Sequence, residues 1–347
     1  MNILVTGTEG YIGTLLAPLL AERGHTVVGL DTGYYREGRL YDGVQPPERT
    51  IRKDIRRVSE ADLDGIDAVV HLAELSNDPL GQHRPELTYA INHQGSVALA
   101  QLCKRAGIER FVYTSSCSVY GVGADDIKTE ESEPNPQTAY AHCKVLVERD
   151  VAQLADDRFS PTFLRNATAF GASPRMRFDI VLNNLAGLAW TTGQIRMTSD
   201  GSPWRPLVHV LDICEAIACT LEAPRETVHN QIFNVGDTAQ NYRVREIAEI
   251  IAEAFPGCDL VFGVNDGDNR SYRVSFDKIA GLLPGFSCRR DATAGARELR
   301  TLFERIDLTR EVFESRLYTR LKQLTYLLQT GQIDDAFFWR DHDLPRD

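Results

Sequence analysis

The chain has 347 residues, of which 43% are hydrophobic and 25% charged, enough apolar material for two closely joined lobes without disulfide or metal staples. A formal net charge of -11 and the lack of any Lys/Arg-rich run exclude the basic face that a nucleic-acid binder needs. No apolar run approaches the ~20 residues of a membrane span, so no membrane association is expected.

Taken in chain order, Ile3 to Thr6 is a short apolar run that ends in glycine, and no signal peptide is expected before it. Tyr11 to Arg23 has helical spacing and stops at Gly24. Val27 to Leu30 is a second run, closed by Asp31. Ala68 to Leu72 is another, followed by a helix from about Glu86 to Ala106. Phe111 to Thr114, a helix over Ala139 to Ala155, and Thr162 to Leu164 complete the first half. Short buried strands alternating with helices predict an α/β fold, a doubly wound parallel sheet covered on both faces.

Beyond Gly171 the pattern loosens. Helices are predicted over Asp179 to Gly193, Asp212 to Glu222 and Tyr242 to Ala254, and strands over Pro206 to Val210 and Ile232 to Val235. Asp268 to Leu283 and Arg297 to Trp339 carry helical patterns in a more polar context. The expected division assigns 1–170 with 205–250 to a nucleotide-binding domain. It leaves 171–204 with 251–347 for a smaller, discontinuous substrate lobe and a helical tail. The seven cysteines are odd in number and form no Cys-x-x-Cys pair, so no disulfide framework or metal site is expected, and a reducing cytoplasm fits.

Gly7-Thr-Glu-Gly10-Tyr11-Ile12-Gly13 follows the first strand and opens the first helix. Glycines there allow a tight turn, close approach of backbone to a pyrophosphate, and packing of helix on sheet, the Rossmann arrangement. Free amides at the helix N-terminus then receive the phosphates. Asp31 ends the next strand, where a carboxylate binds adenosine ribose hydroxyls and repels a 2′-phosphate, so NAD is expected as cofactor. Arg36 and Arg39 keep NADP as a minor alternative. Asp54-Ile55 has two readings, a contact to the adenine or a surface aspartate.

Tyr140-Ala-His-Cys-Lys144 puts a phenol and an ammonium one helical turn apart on one face. A free tyrosine has a pKa of about 10, and a neighbouring cation lowers it toward the range of a useful base. Ser116 leaves a strand at its carboxyl end, where hydroxyls face the crevice and can hydrogen-bond a reacting carbonyl.

With these residues in this order, the chain resembles the extended short-chain dehydrogenase/reductases, specifically the NAD-dependent nucleotide-sugar epimerase/dehydratase family. The resemblance rests on the glycine loop, Asp31, Asp54-Ile55, His71-Leu72-Ala73, Asn92, Ser115-Ser116-x-x-Val119-Tyr120-Gly121, Tyr140-x-x-x-Lys144, Arg165 with Gly171, and the segment from Asp200 to Asp212 around Arg205. It implies Ser116, Tyr140 and Lys144 as catalytic residues, Leu72 and Ala73 on the cofactor side, and Asn92 as a structural or cofactor-side residue. It implies Arg205 as the receptor for the substrate diphosphate, which suits the guanidinium fork. Ser76, Asn166, Thr168, Asn183, Asn184 and Arg270 are further candidate substrate contacts. A nucleotide-diphosphate sugar is the implied substrate and a homodimer the implied assembly.

The chain also departs from the family pattern. Dehydratases of this family carry a carboxylate just after the catalytic hydroxyl, whereas this chain has Cys117 and Ser118. Cys117 has two readings, an acid/base facing the sugar or a small packing residue. The implied activity is therefore a 4-epimerase passing through a transient 4-ketone. A nucleotide-linked ketosugar reductase is the alternative, with a 4,6-dehydratase, a non-sugar ketone reductase and a non-catalytic dinucleotide sensor behind it.

Overall fold

The computed structural model describes residues 1–76, 84–197, 199–263 and 270–340. The first strand, β1 (Asn2–Thr6), runs through the middle of a seven-stranded parallel sheet. Its Ile3, Leu4 and Val5 are fully buried, as a strand covered on both faces requires. Helix α1 (Gly13–Glu22) follows and buries Leu16, Ala17 and Leu20 on one face. Strands β2 (Thr26–Asp31), β3 (Arg49–Arg52) and β4 (Ala68–His71) come next.

Helix α2 (Ser96–Arg105) is shorter than the pattern predicts. A wider π-type turn over Tyr89–Gly95 precedes it and inserts extra backbone at Asn92. Apolar spacing does not distinguish such a turn from ordinary helix. Strands β5 (Arg110–Ser116) and β6 (Val122–Lys128), helix α3 (Ala139–Ala152), and strands β7 (Ser160–Asn166) and β8 (Thr168–Phe170) lead into the second half.

There α4 (Val181–Thr192), β9 (Gln194–Arg196), β10 (Trp204–His209), α5 (Val210–Glu222), β11 (Gln231–Val235) and β12 (Asn241–Arg243) follow in turn. Helix α6 (Val244–Ala254), β13 (Asp259–Val261), β14 (Ser271–Val274), α7 (Ala292–Arg305) and α8 (Arg320–Gln329) complete the chain.

The large sheet has the order β11-β7-β5-β4-β1-β2-β3. Pairing is parallel throughout, with Thr6 opposite His71 and Ser116 opposite Asn166. The order reverses between β1 and β4, and a crevice opens there at the carboxyl strand ends. One face packs α1 and α5 over Ile3, Val5 and Val70. The other packs α2 and α3 over Leu4, Val69 and Phe111. A separate core joins α4, α6 and α7 through Leu185, Ile251 and Phe303.

The division of the chain differs from the expected one in three places. Ile247 and Ala248 of α6, expected in the nucleotide domain, lie in the second core. Phe276, Ile279 and Leu283, assigned to the second lobe, pack on the first face of the large sheet. Leu324, Leu327 and Phe337 of the tail pack on the other face, beside Leu4 and Leu30. An amphipathic pattern says that a segment has an apolar face, not which surface it meets. The predicted helix over Asp268 to Leu283 is instead β14 and a short helix, Asp277–Leu282, with 268 and 269 outside the described residues.

Candidate active site

The crevice at the carboxyl ends of the sheet is a cleft of about 730 Å³. Its floor is the glycine loop. Gly7 has φ of 76°, and a Cβ there would sit 3.0 Å from the Ala73 amide nitrogen. A Cβ on Gly13 would lie 2.2 Å from the Gly7 carbonyl oxygen, so only glycine fits. Thr6 Oγ1 accepts hydrogen bonds from the Leu72 and Ala73 amides and meets His71 Nδ1 at 2.7 Å. Burial holds the His71 pKa down to about 3, so it is a neutral spacer between Thr6 and Ser96.

Asp31 lines the cleft and is held by the Glu9 amide at 3.0 Å and the Gly33 amide at 2.8 Å. Burial, and then the Glu9 charge, push its carboxyl above the usual range. Asp54 and Ile55 line the same end, with Asp54 paired to Arg56. Arg36 and Arg39, the residues that would serve a 2′-phosphate, are exposed and do not line the cleft.

At the other end of the floor, Ser116 finishes β5, and Thr138 caps α3 by accepting from the Ala141 amide. Tyr140 and Lys144 therefore stand one turn apart on the cleft side of α3. Lys144 Nζ lies 5.3 Å from the Tyr140 ring centroid and donates to the Thr114 carbonyl at 2.5 Å. It is also paired with Glu74 at 2.5 Å, and the Tyr113 hydroxyl donates to the same carboxylate at 2.5 Å. Both charges are almost fully buried. Burial opposes the ammonium, but the Glu74 carboxylate more than offsets it and holds the Lys144 pKa above its usual value.

Glu74 is a site residue that sequence reasoning missed. Its signal was a charged residue directly after a strand end otherwise made of His71-Leu72-Ala73. Behind Ser116, the buried Glu148–Arg165 pair ties α3 to β7, with Ser115 and Tyr120 bonded to it.

The far wall carries Arg205 and Arg270, and the Arg205 guanidinium donates a hydrogen bond to the Arg270 carbonyl. Asn166, Thr168 and Asn184 line the cleft, as does Ser76, which receives Arg177 at 3.1 Å. Ser118 Oγ and Asn166 Oδ1 are buried without a partner among the described residues, the state of polar atoms awaiting a ligand.

Three expected contacts lie elsewhere. Cys117 is fully buried in the core under the first sheet face and donates to the Arg165 carbonyl, and Ser118 takes the cleft side. Burial pushes its thiol far up, so the acid/base reading of Cys117 is excluded. Asn92 is buried and exchanges two hydrogen bonds with the Leu75 backbone, so it shapes the wall and does not touch the cleft. Asn183 binds the Gly171 amide, the Tyr11 hydroxyl and the Arg177 carbonyl, a brace between lobes. Both are polar residues in the right place in sequence whose hydrogen bonds are consumed by backbone.

A glycine cradle that any Cβ would fill, an acidic residue at the second strand end and unpaired polar atoms along one cleft fit a dinucleotide. Among the described residues, no group of three or more His, Cys, Asp or Glu is placed to hold a metal ion.

The family described as NAD dependent epimerase/dehydratase matches residues 3–236. A UDP-glucose 4-epimerase of Lactobacillus helveticus is 30% identical over 282 residues, covering 76% of this chain and 84% of that protein. A UDP-glucose 4-epimerase of Bacillus subtilis is 27% identical over 279 residues, covering 72% and 80%. Among solved structures, MoeE5 in complex with UDP-glucuronic acid and NAD has a TM-score of 0.75 at 27% identity, covering 88% of this chain and 99% of that one. The dTDP-glucose 4,6-dehydratase DesIV of Streptomyces venezuelae shares the fold, with a TM-score of 0.77 at 23% identity over 91% and 100% of the two chains.

Proposed function

From the premise that the chain belongs to the NAD-dependent epimerase/dehydratase family, we propose that it is a nucleotide-sugar 4-epimerase. The observation that carries this reading is one cleft lined by the glycine cradle, by Ser116, Tyr140 and Lys144, and by Arg205 and Arg270 on the far wall.

Bound NAD supplies the two-electron acceptor and donor at the sugar C4. Tyr140, as a phenolate, takes the proton of the 4-hydroxyl and returns it after the ketone has turned over. Ser116 hydrogen-bonds the developing ketone oxygen. Lys144 holds positive charge beside the phenolate, positioned by Thr114 and Glu74. Arg205 binds the substrate diphosphate.

Dehydration is disfavoured by the carboxylates themselves. Among the described residues, the acids that line the cleft, Asp31, Asp54, Glu74 and Asp179, are each committed to backbone amides, an arginine or a lysine. Positions 117 and 118 offer no carboxylate base. The seven cysteines are unpaired, which supports a reducing cytoplasmic setting.

UDP- and dTDP-linked hexoses and UDP-glucuronic acid are the sugars to test. Interconversion of C4 epimers without net change at 340 nm supports the reading, and Tyr140→Phe removes it while NAD stays bound. Stoichiometric NADH consumption with a ketosugar would instead make the protein a reductase, and a 4-keto-6-deoxy product would make it a dehydratase.

A further inference from the structure

Among the described residues, the cleft contains a buried cation that the proposed catalysis and substrate binding leave unused. Arg320 is the first residue of α8, at the start of the tail segment that packs on the large sheet. It is 4% exposed and lines the cleft. Its guanidinium lies 3.9 Å from the Tyr35 ring centroid. Its backbone amide reaches Asp179 at 3.4 Å, but its side chain donates no hydrogen bond to any described residue.

The neighbouring charges do not neutralise it. Asp179 is engaged by both nitrogens of the Arg177 fork, at 2.9 and 3.2 Å. Two guanidinium groups facing one carboxylate leave a net positive charge. Asp31, the next acid, attracts Arg320 less than Asp179 does. Burial, opposed by Tyr35 and Asp179, brings the Arg320 pKa down to about 10. A buried cation with unused donors is costly unless an anion completes the site.

The position of Arg320 selects the anion. Tyr35 follows Asp31 at the end of β2, and Gln323, one turn along α8, donates to the Tyr34 carbonyl at 2.9 Å. On its other side, Arg177 is joined through Asn183 to Tyr11 of the glycine loop. Arg320 thus stands at the Tyr35 side of the cleft, linked through Asp179, Arg177 and Asn183 to the glycine loop. We propose that Arg320 is a phosphate receptor for the dinucleotide, closing on the cofactor diphosphate from the side opposite the glycine loop. The C-terminal tail then supplies a cofactor ligand as well as core. The inference rests on the NAD site and is independent of which sugar reacts.

The test compares wild type, Arg320→Met and Arg320→Lys by calorimetry with NAD, ADP-ribose and UDP, and by melting without ligand. The expected result is an affinity for NAD and ADP-ribose that falls about 10- to 100-fold in the methionine variant, the range for a lost charge-assisted hydrogen bond. Lysine restores part of it, and UDP affinity changes less than about threefold. The unliganded methionine variant melts no lower than wild type, because it loses an unpaired buried charge. Unchanged NAD affinity overturns the proposal, as does a selective loss of UDP or UDP-glucuronic acid binding, which would make Arg320 a substrate receptor. A lower melting temperature with NAD and UDP affinities falling together would make it a structural residue. Wild type that bound no NAD would overturn the cofactor reading itself.

Discussion

Lys144 is the residue on which two demands meet. In the proposed mechanism the phenolate of Tyr140 needs its charge, and Glu74 takes part of that charge away. A carboxylate this close adds negative potential where Tyr140 must ionise, so replacing it by a neutral isostere favours the phenolate. Glu74→Gln is therefore expected to move the acidic limb of the kcat/KM profile to lower pH, read from activity against pH at saturating NAD. Movement to higher pH would mean that Glu74 acts chiefly by keeping Lys144 protonated. Tyr140 and Lys144 were legible because a helix converts a spacing of four into a shared face. Glu74 was not, because its partner lies 70 residues away and only the β4–β5 pairing brings Tyr113 and α3 to it.

Elements are held around the site by a few buried polar clasps. Glu148 on α3 accepts three hydrogen bonds from Arg165 on β7 and one from Ser115 on β5. Its truncation leaves Arg165 charged and buried at 3% exposure. Glu148→Ala is expected to cost about 3–5 kcal/mol, seen as a fall of several degrees in melting temperature. A change below a degree would show that water or Tyr120 satisfies Arg165 instead. At this scale the sequence marked α3 and the large-sheet strands β1, β2, β4, β5, β7 and β11, which are continuous apolar runs, but not β3, whose Arg49-Thr50-Ile51-Arg52 is no such run. It missed the π-type turn at Asn92, where one extra residue shifts the register without altering composition. It also missed the three-residue strands β8, β9, β12 and β13, too short to carry a period.

Across the whole molecule, the tail binds the last segment of the chain to the first domain. Phe337 is fully buried, the Tyr34 hydroxyl donates to its carbonyl, and Trp339 Nε1 donates to Thr32 at 2.7 Å. Phe337→Ala is expected to cost about 3–5 kcal/mol, and NAD to dissociate faster, because Thr32 and Tyr34 line the cofactor end of the cleft. A variant with a lowered melting temperature but an unchanged NAD dissociation rate would separate the tail from cofactor retention. By itself, the sequence determined the alternation of strands and helices, the glycine cradle, Asp31, and the Ser116, Tyr140 and Lys144 set. Each of these is encoded locally, at a strand end or within one helix, where backbone geometry converts spacing directly into position. Only the tertiary structure decided that Ser118 and not Cys117 faces the cleft, that Glu74 pairs with Lys144, and that Arg320 lines the cleft. Those outcomes depend on which apolar faces meet across hundreds of residues, a choice made by the packing of the whole chain.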